Sequence, residues 1–303
     1  MTVSVVIPTY NGADKIGVLL NALLKQTTND FELLVVIDGS TDQTIEVIKP
    51  YQQKFKNLRT VVQSNRGRSV VRNRGAAEAR GDILVFYDDD MEPAADSVSR
   101  HLSFHQQHNG IVGGDQVEFK SPEKTDIQNY KAALTKKWTR IYNDDLTRLD
   151  ESNFFLTAAN FSIHKKLFSE LGGFDERLTD AEDFDLACRA MEGGIPLYFD
   201  KKNQAIHHDA ITASRYVHRL RQYGKAHLRL QALHPHRKKT APVSSGWKRM
   251  VYRSLAFPGL LRLIDRDFLK RIMPERIRYK FYDLVIQAMA IEFPDVSLWP
   301  EKK

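Results

Sequence analysis

Four short apolar runs punctuate the first third of the chain at regular intervals. Val3–Pro8, Phe31–Ile37, Leu58–Gln63 and Ile83–Tyr87 are rich in β-branched and aromatic residues, the pattern of buried strands. Their starts recur about every 27 residues, the length of a strand, a crossover helix and two turns. The segments between them carry a helical period. In Lys15–Gln26, residues Ile16, Leu19, Leu20, Leu23 and Leu24 fall on one face, and Ser69–Ala79 follows the turn Asn65–Gly67. Ser40 or Thr41 is placed to cap a further helix reaching about Tyr51. This alternation predicts an α/β fold with a mostly parallel central sheet flanked by helices.

After His101–Asn109 the pattern loosens. Ile111–Phe119 reads as a strand with Gly113 and Gly114 as a bulge, Tyr130–Tyr142 as a helix and Asn153–Ile163 as extended chain. Lys165–Leu171 is a short helix, and Ala181–Glu192 a longer one with Phe184, Ala187, Cys188 and Met191 inward; Ile195–Phe199 is a strand. From Ser214 the chain reads as helical and basic, broken at Pro235, Pro242, Gly246 and Pro258, with His234–Gly246 the nearest thing to a linker.

At 303 residues, with 42% hydrophobic and 27% charged side chains, the chain can bury a full core. The lone cysteine, Cys188, excludes an intramolecular disulfide and a cysteine-based zinc site, which fits a reducing compartment. Val3–Pro8 is too short for a signal peptide, and no stretch has the ~20 apolar residues that span a bilayer. The net charge is unevenly divided. Residues 1–200 hold 23 Lys+Arg against 30 Asp+Glu, a net −7, while residues 201–303 hold 22 against 8, a net +14. A tail so basic suits an anionic partner, lipid headgroups or a polyanion, or is simply a solvated helical face. No nucleic-acid motif accompanies the charge.

The chemistry gathers where strands end. Ile83–Tyr87 runs straight into Asp88, Asp89 and Asp90, with Pro93 closing the strand. Three carboxylates at the carboxyl edge of an open α/β sheet repel one another unless a cation joins them, and oxygen ligands suit Mg²⁺ or Mn²⁺. A solvated acidic turn is the bland alternative. Neither G-x-G-x-x-G nor G-x-x-x-x-G-K-[ST] is present. Asp38, ending the second strand, can hold a base or a ribose, or form a local turn. Arg66, Arg68, Arg72 and Arg74 cluster at a helix start, with Arg68 and Arg72 on one face, favouring an anion. Glu182 and Asp183 open the helix of Thr179–Arg189, where acids either satisfy the helix dipole or supply a base. Of the adjacent His207 and His208, extended backbone lets at most one meet the aspartates.

Six motifs occur in order: VSVVIPTYN (Val3–Asn11), DGSTDQT (Asp38–Thr44), RSVVRNRG (Arg68–Gly75), DDDMEP (Asp88–Pro93), GGFDE (Gly172–Glu176) and EDFDLACR (Glu182–Arg189). Together, over about residues 1–225, they resemble the family 2 glycosyltransferases, which have the GT-A fold. The resemblance implies inverting transfer of a sugar from a nucleotide donor, commonly UDP-linked. It places Pro8, Tyr10 and Asn11 in the nucleotide pocket, Asp38 on the base and Arg72 near the donor phosphates. Asp88 and Asp90 match the D-x-D acids, Asp88 facing ribose and sugar and Asp90 ligating the metal, with Asp89 between them in the donor set. Asp183 matches the base, Glu182 shapes the acceptor site, and His207 completes the metal site.

Carried further, the resemblance gives a catalytic domain over 1–225, its nucleotide half about 1–120 and its acceptor half about 121–225. A basic, amphipathic helical extension follows over 226–303. Arg219–Lys225 resembles a segment that non-processive members place over the donor, and the Q-x-x-R-W of processive synthases is missing. The expected partners are a nucleotide-sugar and a glycan or lipid-linked acceptor. A cytoplasmic protein is expected, peripheral to the inner face of the cell membrane if Trp247–Lys270 lies on anionic lipid. A non-catalytic nucleotide-sugar or membrane-binding module stays open as an alternative, although intact Asp88, Asp90 and Asp183 speak against it. A sugar-phosphate nucleotidyltransferase is a further one, but it calls for a Gly-rich basic loop where Thr9–Gly12 stands.

Overall fold

Strand β1 (Val3–Thr9) pairs in parallel with β2 (Phe31–Asp38) on one side and β4 (Ile83–Tyr87) on the other, and β3 (Leu58–Gln63) extends the sheet beyond β2. This is the arrangement that apolar runs joined by helices dictate, since parallel neighbours need a crossover. Helices α1 (Ile16–Leu24), α2 (Thr44–Ile48) and α3 (Arg68–Glu78) supply the crossovers. The computed structural model describes residues 1–153, 156–236 and 247–292. The expected linker lies mostly outside them.

Beyond β4 the sheet changes character. In chain order come β5 (Met91–Pro93), α4 (Ser97–Gln107), β6 (Ile111–Val117), α5 (Asp126–Trp138), β7 (Leu146–Leu149) and β8 (Asn160–His164). Helices α6 (Lys165–Glu170) and α7 (Glu182–Glu192) and strand β9 (Leu197–His207) follow. The strand order is β3-β2-β1-β4-β8-β6-β9-β5, with β7 on β9. β8 is antiparallel to both β4 and β6, and β5 and β7 are antiparallel to β9, whereas β6 and β9 are parallel. The sheet is therefore mixed, and "mostly parallel" holds only for its first four strands. β4 stops at Tyr87, ahead of Pro93, which is instead the last residue of the short β5 paired along β9. The expected bulge is present as a register shift between Gly114 and Asp115.

Period-two alternation covers both faces. Val3, Val5 and Ile7 of β1 pack with α1 and with Ile48, while Val6 packs with α3 and the α6–α7 side. There Phe86 stacks on Phe161 at 4.8 Å between ring centres and meets Phe168 and Phe174 edge-on or tilted.

The chain forms two compact units. One comprises Met1–Glu118 and Thr135–His208, the other Phe119–Leu134 and Asp209–Lys303. The boundary expected near residue 225 falls inside α8 (Ala213–Leu233), which runs through it unbroken. In the second unit, α11 (Glu275–Glu292) packs with α8, α9 (Trp247–Leu255) and α10 (Pro258–Asp265) around Tyr216, Leu261, Ile264, Tyr282 and Ile286. Asp126 is buried there, accepting hydrogen bonds from Arg278 and from the Tyr282 hydroxyl. Among the described residues no helix is long and apolar enough to cross a membrane.

Candidate active site

The parallel run from β3 to β4 brings Thr9, Asp38, Gln63 and Tyr87 to one sheet edge. Antiparallel β8 starts at that edge, with Asn160 opposite Tyr87, and β6 and β9 finish there at Val117 and His207. Every acidic focus of the first unit singled out from the sequence opens onto this edge or onto the loops beside it.

The loop after β1 is tightly held. Asn11, at φ 49°, accepts from Thr41 N at 2.8 Å, and its own N–H donates to Ser40 Oγ at 3.0 Å. Gly12 N donates to Thr44 Oγ1 at 2.9 Å, and a Cβ at Gly12 would fall 2.2 Å from Thr9 Oγ1. Ser40 and Thr41 thus serve this loop instead of capping α2, whose first N–H is taken by Asp42. Tyr10 is exposed and Pro8 half-buried. Asp38 is buried, accepting from Gln63 Nε2 at 2.8 Å and from the backbone of Arg66 and Gly67, each at 2.9 Å. It shapes the loop leading into α3 and keeps limited capacity for a further donor. Asp89 points back beneath the site, accepting from Thr9 Oγ1 at 2.7 Å and from Lys15 Nζ at 2.9 Å. Burial raises its pKa above the ordinary carboxylate value despite the Lys15 charge.

Arg72 organises the centre. Its buried guanidinium donates to Asp88 Oδ1 through one nitrogen and to Glu182 Oε1 through another, both at 2.5 Å, and lies 5.9 Å over the Phe174 ring. Burial opposes its charge, but Asp88 and Glu182 outweigh that and raise its pKa. Burial likewise works against the Asp88 carboxylate, and Arg72 overcomes it to hold the pKa below the usual value. Asp88 remains 37% exposed at the rim. The resemblance set Arg72 near phosphates; its hydrogen bonds here go to carboxylates, and the more exposed Arg68 reaches Asp180 at 3.5 Å.

Helix α7 presents an unusual buried face. Glu182, Asp185, Leu186, Ala187 and Ala190 face inward, whereas Phe184, Cys188 and Met191 of the expected face are only partly covered. The acids can go inside because each meets a cation: Glu182 meets Arg72, and Asp185 meets Arg189 at 2.7 Å. Asp183 accepts from Ala158 N at 3.1 Å and from Phe184 N at 2.8 Å. Burial, aided by the Glu182 charge, pushes its pKa up to about 7. Ala181, just ahead, sits in the left-handed region at φ 61°, a strained geometry of the kind that clusters at functional sites.

On the other side of Asp88, the Asp90 side chain is 20% exposed, and its Oδ1 is buried with no hydrogen-bond partner. Its Oδ2 lies 3.5 Å from His207 Nε2. His207 Nδ1 is 3.0 Å from Glu118 Oε1, while His208 is half-exposed and paired with Glu92 at 2.7 Å. His207 is therefore the histidine turned toward the aspartates. An orphaned carboxylate oxygen beside an imidazole nitrogen fits a divalent cation such as Mn²⁺. Lys15 and Glu118 are site residues beyond those expected; Glu118 falls within the strand expected over Ile111–Phe119, where nothing in the sequence sets it apart.

Residues 4–172 match the family described as Glycosyl transferase family 2. Among known sequences, the chain is 28% identical over 255 residues to the uncharacterized glycosyltransferase YfnE of Bacillus subtilis, a stretch covering 69% of this chain and 65% of that protein. It is 30% identical over 231 residues to validoxylamine A glucosyltransferase of Streptomyces hygroscopicus subsp. jinggangensis, covering 67% of this chain and 54% of that one. The chain thus spans less than two thirds of the length of either relative. Among solved structures, S. aureus TarS 1–349 in complex with UDP superposes with a TM-score of 0.56 at 18% identity, over 95% of this chain and 90% of that one. Mannosyltransferase PcManGT of Pyrobaculum calidifontis, in complex with GDP-Man and Mn²⁺, gives a TM-score of 0.60 at 18% identity, over 95% and 85%. The fold is GT-A, and, with more than half its length matched, the chain belongs to glycosyl transferase family 2.

Proposed function

We propose that the protein transfers a sugar from a nucleotide-diphosphate donor, UDP-linked by preference, to an acceptor hydroxyl in glycan or polysaccharide assembly. Transfer proceeds with inversion in a single displacement. The observation that carries this is the Asp88–Arg72–Glu182 bridge, which ties the acidic turn after β4 to the start of α7 and so sets Asp183 beside the donor edge. Complexes of related fold with UDP and with GDP-Man and Mn²⁺ support the donor class.

In this reading Pro8, Tyr10 and Asn11 line the nucleotide pocket and Asp38 meets the base. Asp88 faces the ribose and sugar from the rim. Asp89 supports the pocket through the Thr9 and Lys15 it holds. Asp90 and His207 would hold Mn²⁺ or Mg²⁺, which when bound would supply positive charge to offset that on the departing diphosphate. Arg72 fixes Asp88 and Glu182 close to those phosphates, and Glu182 shapes the acceptor side. Asp183 takes the proton of the acceptor hydroxyl, whose oxygen attacks the anomeric carbon from the face opposite the diphosphate. That is the logic of an inverting hydrolase with a sugar or lipid hydroxyl in place of water. A pKa near 7 suits a general base.

The experiment is a screen of labelled UDP- and GDP-sugars with Mn²⁺, for hydrolysis and for transfer to glycan and lipid-linked acceptors. Turnover by the wild type that collapses in Asp183→Asn, with nucleotide binding retained, is the expected result. Binding without turnover for any donor would instead favour a non-catalytic module. The second unit adds a partner to the reading, an anionic membrane surface. Its exposed Phe257, Phe268, Ile272 and Ile277 are interspersed in the chain with exposed Arg262, Arg266, Lys270, Arg271 and Arg276.

A further inference from the structure

We infer that Glu118 is the positioning residue of the metal site, holding His207 in the tautomer and orientation that ligation needs. The inference rests on the proposed reading of Asp90 and His207 as metal ligands and adds a third residue to it. Glu118 is not itself placed on the cation.

The register of the sheet makes the pair. Before the bulge, Gly113 of β6 stands opposite Phe199 of β9 and Gly114 opposite Asp200; after it, Asp115 stands opposite Gln204 and Val117 opposite Ile206. Residues 201–203 of β9 have been passed over. Continued by one position, the shifted register sets Glu118 level with His207, and parallel neighbours at one level project to the same face. Without the shift, His207 would stand level with residue 121. The bulge depends on Gly114, where a Cβ would lie 2.2 Å from Asn160 Nδ2 and 2.4 Å from the Asn203 carbonyl oxygen. A loosely patterned, polar stretch of β9 is thereby turned into a device that aligns one histidine with one carboxylate.

The contacts follow from that alignment. Glu118 Oε1 is 3.0 Å from His207 Nδ1, and both side chains are at least nine-tenths buried. On the far side of the ring Nε2 faces Asp90 Oδ2 at 3.5 Å, beyond a good hydrogen bond, and Asp90 Oδ1 has no partner. The turn is pinned by the His208 N–H, which donates to the Asp90 carbonyl oxygen at 2.9 Å, and by the pairing of Met91 with His207. An imidazole binds a metal through an unprotonated nitrogen, and the partner of its other nitrogen decides which one that is. With Nδ1–H donated to Glu118, the lone pair on Nε2 is directed to the side where Asp90 has an oxygen to spare.

The test measures Mn²⁺ affinity from the electron paramagnetic resonance of free Mn²⁺, with saturating UDP and separately with GDP. Glu118→Ala should weaken Mn²⁺ binding about 10–100-fold. Glu118→Gln, which keeps an acceptor for Nδ1–H, should recover most of that loss. On a His207→Ala background, Glu118→Ala should cost nothing further, because its effect passes through the imidazole. In metal-free protein, ¹⁵N–¹H correlation should find His207 protonated at Nδ1 in the wild type and shifted toward Nε2–H in Glu118→Ala. Unchanged affinity in Glu118→Ala would overturn the inference, as would equal losses with Gln and Ala, or an added loss on the His207→Ala background. Asp90→Ala tells the two levels apart. If it keeps wild-type Mn²⁺ affinity, the metal reading falls with the inference; if it loses affinity while Glu118→Ala does not, only the inference falls.

Discussion

Arg72 and Asp183 show how single side chains carry the site's electrostatics. Arg72 balances two carboxylates in a place where neither ion would be stable alone, so truncating it strands Glu182. Removing one partner of a buried pair costs about 3–5 kcal/mol. Arg72→Ala should therefore lose about that much in urea unfolding, and an unaltered midpoint would show that water already screens the bridge. Asp183 has the opposite character, a carboxyl that burial keeps reluctant to ionise up to about pH 7. A base must be ionised to work. The rate at limiting substrate should therefore climb with pH through about 7 and level off above it, and a profile flat between pH 5.5 and 8.5 would remove Asp183 from the role. Asp183→Asn should lower turnover by about 10²–10⁴-fold, the usual contribution of a general base.

Among the elements, α3 does more than cross over between strands. Ser69, Arg72 and Asn73, three and four residues apart, share one face. Ser69 Oγ donates to the Leu178 carbonyl oxygen at 2.8 Å, and Asn73 both donates to the Phe174 carbonyl oxygen and accepts from Phe174 N. The face clamps the loop that delivers Glu182 and Asp183, and Asn73→Ala should destabilise the protein by about 1–2 kcal/mol, measured in urea, by unpairing those groups. In α4, His101 and His105 are buried around Ser162, each nitrogen–oxygen distance being 2.8 Å, with the His164 ring beside His105. Burial pushes His101 down to about 4 and His105 to about 3. Below about 6.5 the unfolded chain takes up protons that the folded chain refuses, so stability is complete at neutral pH and falls toward pH 4. At pH 5 the loss is about 2 kcal/mol per histidine. Asp183, with its raised pKa, works the other way between about 7 and 4, so the effect is read by comparison with a His105→Gln variant, whose acid-limb slope should be shallower. These elements also mark what the sequence could convey. Strands β1 to β4 and their helices were legible because apolar spacing alone specifies them. β5 and β7 are three and four residues long, and β9 is announced only at its start, in Ile195–Phe199; pairing makes strands of β5, of β7 and of the polar continuation of β9 to His207, with no local period to mark them. For the same reason Asp90 and Asp183 stood out as acids at expected places, whereas Glu118 becomes meaningful only once a register shift has set it beside His207.

Over the whole molecule the governing quantity is the separation of charge along the chain, a net −7 through residue 200 and +14 from residue 201. An acidic sheet edge suits a cation and its diphosphate, and a basic helical unit suits a surface that is negative over a wide area. Solvation of the basic groups would explain the charge but leaves the apolar exposure unaccounted for. Phe257, Phe268, Ile272 and Ile277 are 63%, 48%, 63% and 56% exposed, while Leu261, Ile264 and Leu269 of the same stretch fill the core. Basic groups draw a protein to anionic headgroups at about 1 kcal/mol each near the surface, and partly inserted aromatic side chains add an attraction that salt does not screen. The two contributions separate in a flotation experiment. The wild type should rise with phosphatidylglycerol-containing vesicles at low salt and stay down with phosphatidylcholine alone. Reversing Arg262, Arg266, Lys270 and Arg271 to Glu should abolish flotation at every salt concentration. Phe257→Ser with Phe268→Ser should leave weak binding that disappears once the Debye length shrinks, by about 0.5 M salt. None of these residues belongs to the proposed catalytic edge, so turnover on a water-soluble acceptor should be unchanged in both variants. If the wild type ignores anionic vesicles at low salt, the basic unit serves a different partner and a lipid-linked acceptor loses its main support.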